Sequence, residues 1–160
     1  MSESLERLLI GRTLVGRYLV EEVIGRGGMS IVYCARDNRL DREVALKIIK
    51  FSPELESSER RDLRQRLRRE AAAAARISSH PNVVQIYDYG TDEELDLDFI
   101  AMERLNGHDL KEALKSKLLS QSEARRVLLE ASRGGAAGHR AGIVHRDLKP
   151  ANVFLVMRDG

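Results

Sequence analysis

Residues 145–152 read His145-Arg146-Asp147-Leu148-Lys149-Pro150-Ala151-Asn152, preceded by Gly142-Ile143-Val144 and followed by the apolar run Val153-Phe154-Leu155-Val156. An aspartate, a lysine two residues on and an asparagine five residues on, with a proline stiffening the turn, are what phosphoryl transfer demands. The carboxylate serves an incoming hydroxyl, the cation a phosphate, and the amide oxygen a metal ion. The alternative is an ordinary polar loop with a chance proline, and a match of this length disfavours it.

Bulk properties set the frame. The chain has 160 residues, 42% of them apolar and 32% charged, which describes an ordinary globular domain with a core of its own. A net charge of +2 gives no strong attraction to nucleic acid or to an anionic membrane, so neither is expected as a partner. A lone cysteine, Cys34, excludes an internal disulfide and fits a reducing, cytoplasmic setting. It lies in a strand-like run and reads as a small buried residue. No apolar run is long enough to span a bilayer, and the acidic start is not that of a signal peptide. No cluster of metal-ligand residues is visible in the chain.

Upstream of the decisive stretch the pattern is strand-like. Residues 1–16 form a lead-in, in which Leu5, Leu8 and Leu9 suit one face of a short helix. Tyr18-Leu19-Val20 and Val23-Ile24 then bracket two acids, and Gly25-Arg26-Gly27-Gly28-Met29-Ser30 follows. Ile31-Val32-Tyr33-Cys34 is β-branched and aromatic, hence a second strand, and residues 43–49 read as a third. Because β-formers follow the glycines, the run is a hairpin and not the strand-to-helix turn of a dinucleotide fold. Glycine lets backbone N–H groups approach phosphate oxygens with no Cβ in the way.

Ser57 or Ser58 opens a long helix reaching about Ile77, with Leu63, Leu67, Ala74 and Ile77 as its apolar stripe and Glu70 in the same series. The arginines at 60, 61, 64, 66, 68 and 69 read as its solvated surface. His80-Pro81-Asn82 closes this segment. Residues 83–87 and 97–102 read as two more strands, with the acidic stretch 92–98 turning between them. Asp109 with Glu112, and Ser120 with Glu123, have capping-box spacing for a short and a long helix, the second reaching Ala141. Gly134, Gly135 and Gly138 fall inside that second helix, at about 1 kcal/mol each against alanine. Arg158-Asp159-Gly160 reads as a hairpin turn whose returning strand is missing, which leaves the strand 153–156 without a partner.

These landmarks together resemble a protein kinase domain. His145-Arg146-Asp147-Leu148-Lys149-Pro150-Ala151-Asn152 is similar to the kinase catalytic loop, and Lys149 to its serine/threonine branch. Gly25, Gly27 and Val32 match the G-x-G-x-x-G-x-V loop, with Ser30 at the third glycine; Val44-Ala45-Leu46-Lys47 resembles V-A-I-K. The resemblance runs from about Arg17 to Gly160. It implies an α+β fold of the protein-kinase type: a five-stranded antiparallel small lobe over 17–103 with one long helix, then a connector and an incomplete helical large lobe over 104–160.

The resemblance also implies roles. Asp147 would orient the substrate hydroxyl, Lys149 would stabilise the transferring phosphate, and Asn152 would hold one magnesium ion. Lys47 would bind the α/β-phosphates of ATP and pair with Glu70. The loop Gly25, Arg26, Gly27 and Gly28 would cover the phosphates. Ile24, Val32 and Ala45 would roof the adenine and Phe154 would floor it, with Met102 as gatekeeper and backbone groups of Glu103 and Leu105 at the purine edge. Arg146 would lack its activation-segment partner, because the D-F-G and A-P-E elements are not in the chain. The expected cofactors are ATP and Mg2+, with the metal site incomplete. The expected partner is a protein serine or threonine, with a second chain as one source of the missing lobe. Two functions follow from the resemblance: a serine/threonine kinase in truncated form, or a kinase-derived module that binds nucleotide or a partner without transfer.

Overall fold

The computed structural model describes residues 2–52 and 54–157, with side chains from Glu6 onward. The chain forms two compact units. The first comprises Met1–Ala75 and Gln85–Arg104, the second Arg76–Val84 and Leu105–Gly160.

The first unit is built on a six-stranded antiparallel sheet. Its strands are β1 (Thr13–Leu14), β2 (Tyr18–Arg26), β3 (Ser30–Asp37), β4 (Arg42–Ile49), β5 (Ile86–Asp92) and β6 (Leu97–Glu103), in the order β1-β2-β3-β4-β6-β5. Helices α1 (Ser2–Leu9) and α2 (Ser57–Arg76) belong to the same unit, α2 to its penultimate residue. The sixth strand is the two-residue β1, which the sequence pattern had hidden in a lead-in. Alternation along β3 explains the core. Ile31, Tyr33 and Ala35 fall on one face and join Leu9, Leu14 and Phe99 in a fully buried cluster. Leu9 therefore anchors α1, whereas Leu8 is exposed and the side chain of Leu5 lies outside the described residues.

Strand β5 differs from the expected 83–87. It begins later and continues through Gly90-Thr91-Asp92, a run whose composition suggests a turn. Phe99 on the paired strand is the reason: a Cβ on Gly90 would sit 2.6 Å from its ring, so the absent side chain is where the aromatic packs. Thr91 then donates to Asp98 at 2.7 Å across the same pair of strands.

The second unit contains β7 (Gly107–Asp109), α3 (Leu110–Lys115), α4 (Gln121–Arg140), a 3₁₀ turn over Pro150–Asn152, and β8 (Phe154–Val156). Both expected caps form. Asp109 accepts from the Glu112 amide at 2.7 Å, and Ser120 with Glu123 makes a complete capping box. The expectation of an unpaired final strand is corrected, since β8 pairs antiparallel with β7. Gly107 makes this possible. Its φ of +148° is closed to L side chains, and a Cβ there would lie 1.9 Å from the Leu155 carbonyl oxygen. The turn read at 158–160 lies outside the described residues.

The glycines of α4 do not interrupt the helix. Gly134 is buried because a backbone passes close to it, a Cβ there falling 2.6 Å from the Asn82 carbonyl oxygen. Gly138 lies similarly near Ile143. What the sequence shows as a helix defect is, at these two positions, room for a neighbouring chain. Among the described residues no helix is long and apolar enough to cross a membrane.

Candidate functional site

Strand register lines up the first group of candidates. Gly25 pairs with Val32, Val32 with Lys47, and Lys47 with Ile100. The adjacent row on the same face runs Cys34, Ala45 and Met102. Directly paired residues share a face, so Val32, Ala45, Lys47 and Met102 lie together, opposite the buried cluster of Tyr33, Leu46 and Ala101. Ile24 sits at a register shift between Val23 and Gly25 and is exposed.

The glycine run is a closed turn. The Gly27 amide donates to the Ser30 carbonyl at 2.8 Å, and the Lys50 amide to the Met29 carbonyl at 2.9 Å. Among the described residues no acceptor meets the amides of Gly28 and Met29, and both residues are exposed. Two free donors at a hairpin tip, with Gly28 leaving open space, suit phosphate oxygens. Lys47 is half-buried, and no carboxylate within ion-pair distance is found for it among the described residues.

The expected Lys47–Glu70 pair is absent. Glu70 is exposed, and the buried residue of α2 is its neighbour Ala71. The inward stripe thus runs Arg60, Leu63, Arg64, Leu67, Ala71 and Ala74, which turns Glu70 to its edge. Two arginines assigned to solvent instead fasten the helix. Arg64 donates from Nε to Asp98 and from a terminal nitrogen to Asp96, both at 2.6 Å, and Arg60 reaches Asp96 at 2.6 Å. Asp98 is fully buried and also accepts from Tyr89 and Thr91, so its charge is met by one guanidinium and two hydroxyls. The sequence signal was there: acids concentrated in the segment 92–98, and arginines spaced i, i+4 on the helix.

Glu103 closes β6. Its amide donates to Gln85 and its carboxylate accepts from the Gln85 amide at 2.6 Å. Nearby, the structure gathers Glu21, Cys34 and Glu43, whose ligand atoms lie within 4.8 Å of one another, a grouping the linear sequence does not show. Arg104 contacts Glu43, and burial pushes the Cys34 thiol up to about 11. A protonated thiol beside carboxylates already paired with arginine is a poor metal donor set.

In the second unit Arg146 adopts φ +60°, which turns the chain ahead of Asp147. Lys149 Nζ lies 2.9 Å from the Asp147 carboxylate. The Asn152 amide nitrogen donates to the Asp147 carbonyl at 2.8 Å and to its carboxylate at 3.1 Å. The Asp147 amide in turn donates to His145 Nδ1 at 3.3 Å. Lys149 first, then Asn152, holds the Asp147 carboxyl below its ordinary range, so it is ionised at neutral pH. Asp147 and Lys149 are both exposed. The loop is pinned at its end, where the Leu110 amide donates to Val153 at 2.7 Å and Met157 to Asn106 at 2.8 Å. Phe154, on β8, is exposed. An ionised carboxylate with a cation and an amide upon it can orient a hydroxyl and offer charge to an anion. Leu105, Asp147, Lys149, Asn152 and Phe154 belong to the second unit, and the other candidates to the first.

Comparisons with known proteins bear on the family and the fold. The family model described as protein kinase domain matches residues 18–160. The serine/threonine-protein kinase PrkC of Bacillus subtilis is 42% identical over 149 residues, which cover 92% of this chain and 22% of that protein. A probable serine/threonine-protein kinase of Streptomyces coelicolor, SCO3848, is 43% identical over 153 residues, covering 90% and 21%. The solved kinase domain of PknI from Mycobacterium tuberculosis superimposes with a TM-score of 0.76 at 28% identity, over 91% of this chain and 56% of that one. The chain thus spans about a fifth of the length of the curated relatives it matches.

Proposed function

The chain belongs to the protein kinase family, among the bacterial serine/threonine kinases, and from that premise we propose that it is the nucleotide-binding and catalytic-loop portion of an enzyme that phosphorylates protein serine or threonine. The observation that carries this reading is Asp147, with Lys149 and Asn152 both on its carboxylate.

The donor set suits the family's cofactors. The free amides of Gly28 and Met29 and the ammonium of Lys47 suit the phosphates of ATP, and the oxygen of Asn152 suits Mg2+. When bound, ATP supplies the phosphoryl group and magnesium neutralises its developing charge. Asp147 holds the substrate hydroxyl and receives its proton as the oxygen attacks. Lys149, beside it, offers positive charge to the phosphoryl oxygens. Val32, Ala45 and Met102, on one face of the first unit's sheet, provide an apolar surface for a purine. Glu70 does not position Lys47 in this arrangement. Asn152 is the one magnesium ligand that the resemblance assigns among the described residues, so a second ligand and the surface that seats the protein substrate would come from a further segment, in the same chain or in a second one. A free cysteine and a need for ATP suit work in the cytoplasm.

The test is a pair of measurements on the purified 160-residue chain. ATP binding should be weak, little dependent on magnesium, and weaker still in Lys47→Ala. Phosphate transfer to protein should be undetectable until the remainder of a kinase domain is joined to it, and Asp147→Asn should then lower transfer by about 10²–10⁴-fold. Transfer by the 160-residue chain alone, absent from its Asp147→Asn variant, would overturn the proposed need for a further segment.

A further inference from the structure

We propose that Glu6 is a positioning residue for the phosphate-facing turn, acting through Arg26, so that α1 braces the loop from outside the kinase-family segment. The proposal rests on the reading of residues 25–30 as a nucleotide loop, and its test separates the two.

Arg26 stands between Gly25 and Gly27, at the last position of β2, where the backbone has least intrinsic stiffness. Its guanidinium donates to both oxygens of Glu6, from Nε at 3.3 and 3.2 Å and from a terminal nitrogen at 3.1 Å. The two partners are unequally placed. The Glu6 side chain is 11% exposed and that of Arg26 67%. A carboxylate so deeply set has a strong need for its cation, while the arginine could be solvated anywhere. The pair is therefore a device for fixing Arg26, not Glu6.

Helix α1 is itself fixed. Leu9 is fully buried in the core cluster, the Gly11 amide donates to Val20 at 2.8 Å, and the Val20 amide to Arg12 at 2.9 Å. Tyr33, which pairs with Val23 of β2, has a buried hydroxyl with no hydrogen-bond partner among the described residues. Burial, then the Glu6 charge, pushes that hydroxyl up to about 12, consistent with an acid held close to the base of the loop. The turn has two other ties, Gly27 to Ser30 and Met29 to Lys50. Both lie within the segment matched by the family model, which begins at residue 18. Glu6 provides the third tie and lies before it. A loop held at both ends loses less freedom when phosphates engage its amides, so nucleotide affinity rises without a new contact.

The experiment uses the full 160-residue chain with Glu6→Gln, Arg26→Gln, the double variant and Lys47→Ala. Hydrogen exchange without nucleotide should show the hydrogen-bonded amides of Gly27 and Lys50, which tie the turn, exchanging faster in Glu6→Gln and Arg26→Gln, by about threefold. ATP affinity, read by calorimetry, should fall by a similar factor in each, and the double variant should be no worse than either single one. Unchanged exchange at the turn in both single variants would overturn the brace. So would tighter ATP binding in Glu6→Gln, which would mean that Glu6 merely withholds Arg26 from the phosphates. If Glu6→Gln fails to fold, Arg26→Gln, altered at an exposed side chain, tests the same link. If Lys47→Ala leaves ATP affinity unchanged, the nucleotide reading fails, while the exchange measurement still decides whether α1 holds the turn.

Discussion

The two units of this chain are held together by different means. In the first, one face of the sheet is closed by Tyr18, Tyr33, Phe99 and aliphatic neighbours, and two of its fully buried acids are matched by arginine: Asp37 by Arg17, Asp98 by Arg64. In the second, Leu110, Ala113 and Ala137 are the only buried apolar residues among those described, while Leu114, Leu118, Leu128, Leu129 and Leu148 are exposed. Its order comes from local hydrogen bonding: two capped helices, the β7–β8 pair and the contacts around Asp147. Burial scales with stability and local hydrogen bonds contribute little net, so the catalytic-loop half is the weaker partner.

The largest effect expected from this difference is in hydrogen exchange. Amides of β2 to β4 should exchange at least about a hundredfold more slowly than those of α4 and β8. Equal protection in the two regions would break the comparison.

Next in size is the loss of a matched buried acid. Arg17 donates to Asp37 at 2.8 and 2.7 Å, and Asp37 is fully buried, so Asp37→Asn should destabilise the first unit by about 3–5 kcal/mol in a denaturant titration. The bond to Arg17 holds the Asp37 carboxyl below its ordinary 3.8. A depressed folded value means the contribution is complete above the unfolded value and is lost as pH falls through the folded one. Unfolding on acidification should therefore set in below about pH 4 and be blunted in Asp37→Asn. A wild-type protein equally stable on both sides of that range would exclude Asp37 as the acid-sensitive group.

How legible each unit was in the sequence follows the same division. Strands β2 to β4, both helix N-caps and the Asp147–Lys149–Asn152 spacing are set by neighbours a few residues apart, and a linear reading reaches them. What it missed depends on packing over distance. Whether Glu70 or Ala71 faces inward is a matter of about 100° of helix rotation, and the Arg64 bond to a buried Asp98 decides it. Gly90 continues a strand because a phenylalanine from the next strand needs its space. The final strand has a partner because Gly107, far upstream, takes a backbone angle that only glycine reaches freely. Three glycines in α4 count equally in a propensity sum, yet the fold treats them differently.

That last point gives a sharper test of the weaker unit. Gly134→Ala places a methyl group 2.6 Å from the Asn82 carbonyl oxygen, a backbone atom that cannot swing aside. The expected cost is about 1–3 kcal/mol, since close packing resists an added methyl and the helix-propensity gain offsets only part of it. Loss of α-helical circular dichroism at lower urea than wild type would show it.

The smallest effect comes from the next residue and carries the opposite sign. A Cβ at Gly135 meets nothing within 4 Å, and its backbone is an ordinary part of α4. Gly135→Ala therefore keeps the packing unchanged and removes only the freedom that glycine has in the unfolded chain, which should stabilise the helix by about 1 kcal/mol. The urea midpoint for α4 should rise in Gly135→Ala and fall in Gly134→Ala, from identical chemistry one position apart. If both variants were stabilised, the 82-region backbone would not approach α4 in solution, and Gly134 would be a helix defect after all. If both were destabilised, Gly135 would face a contact outside the described residues. Opposite signs would mean that the second unit, poor in core though it is, has its backbone packing in place while its leucines stay exposed.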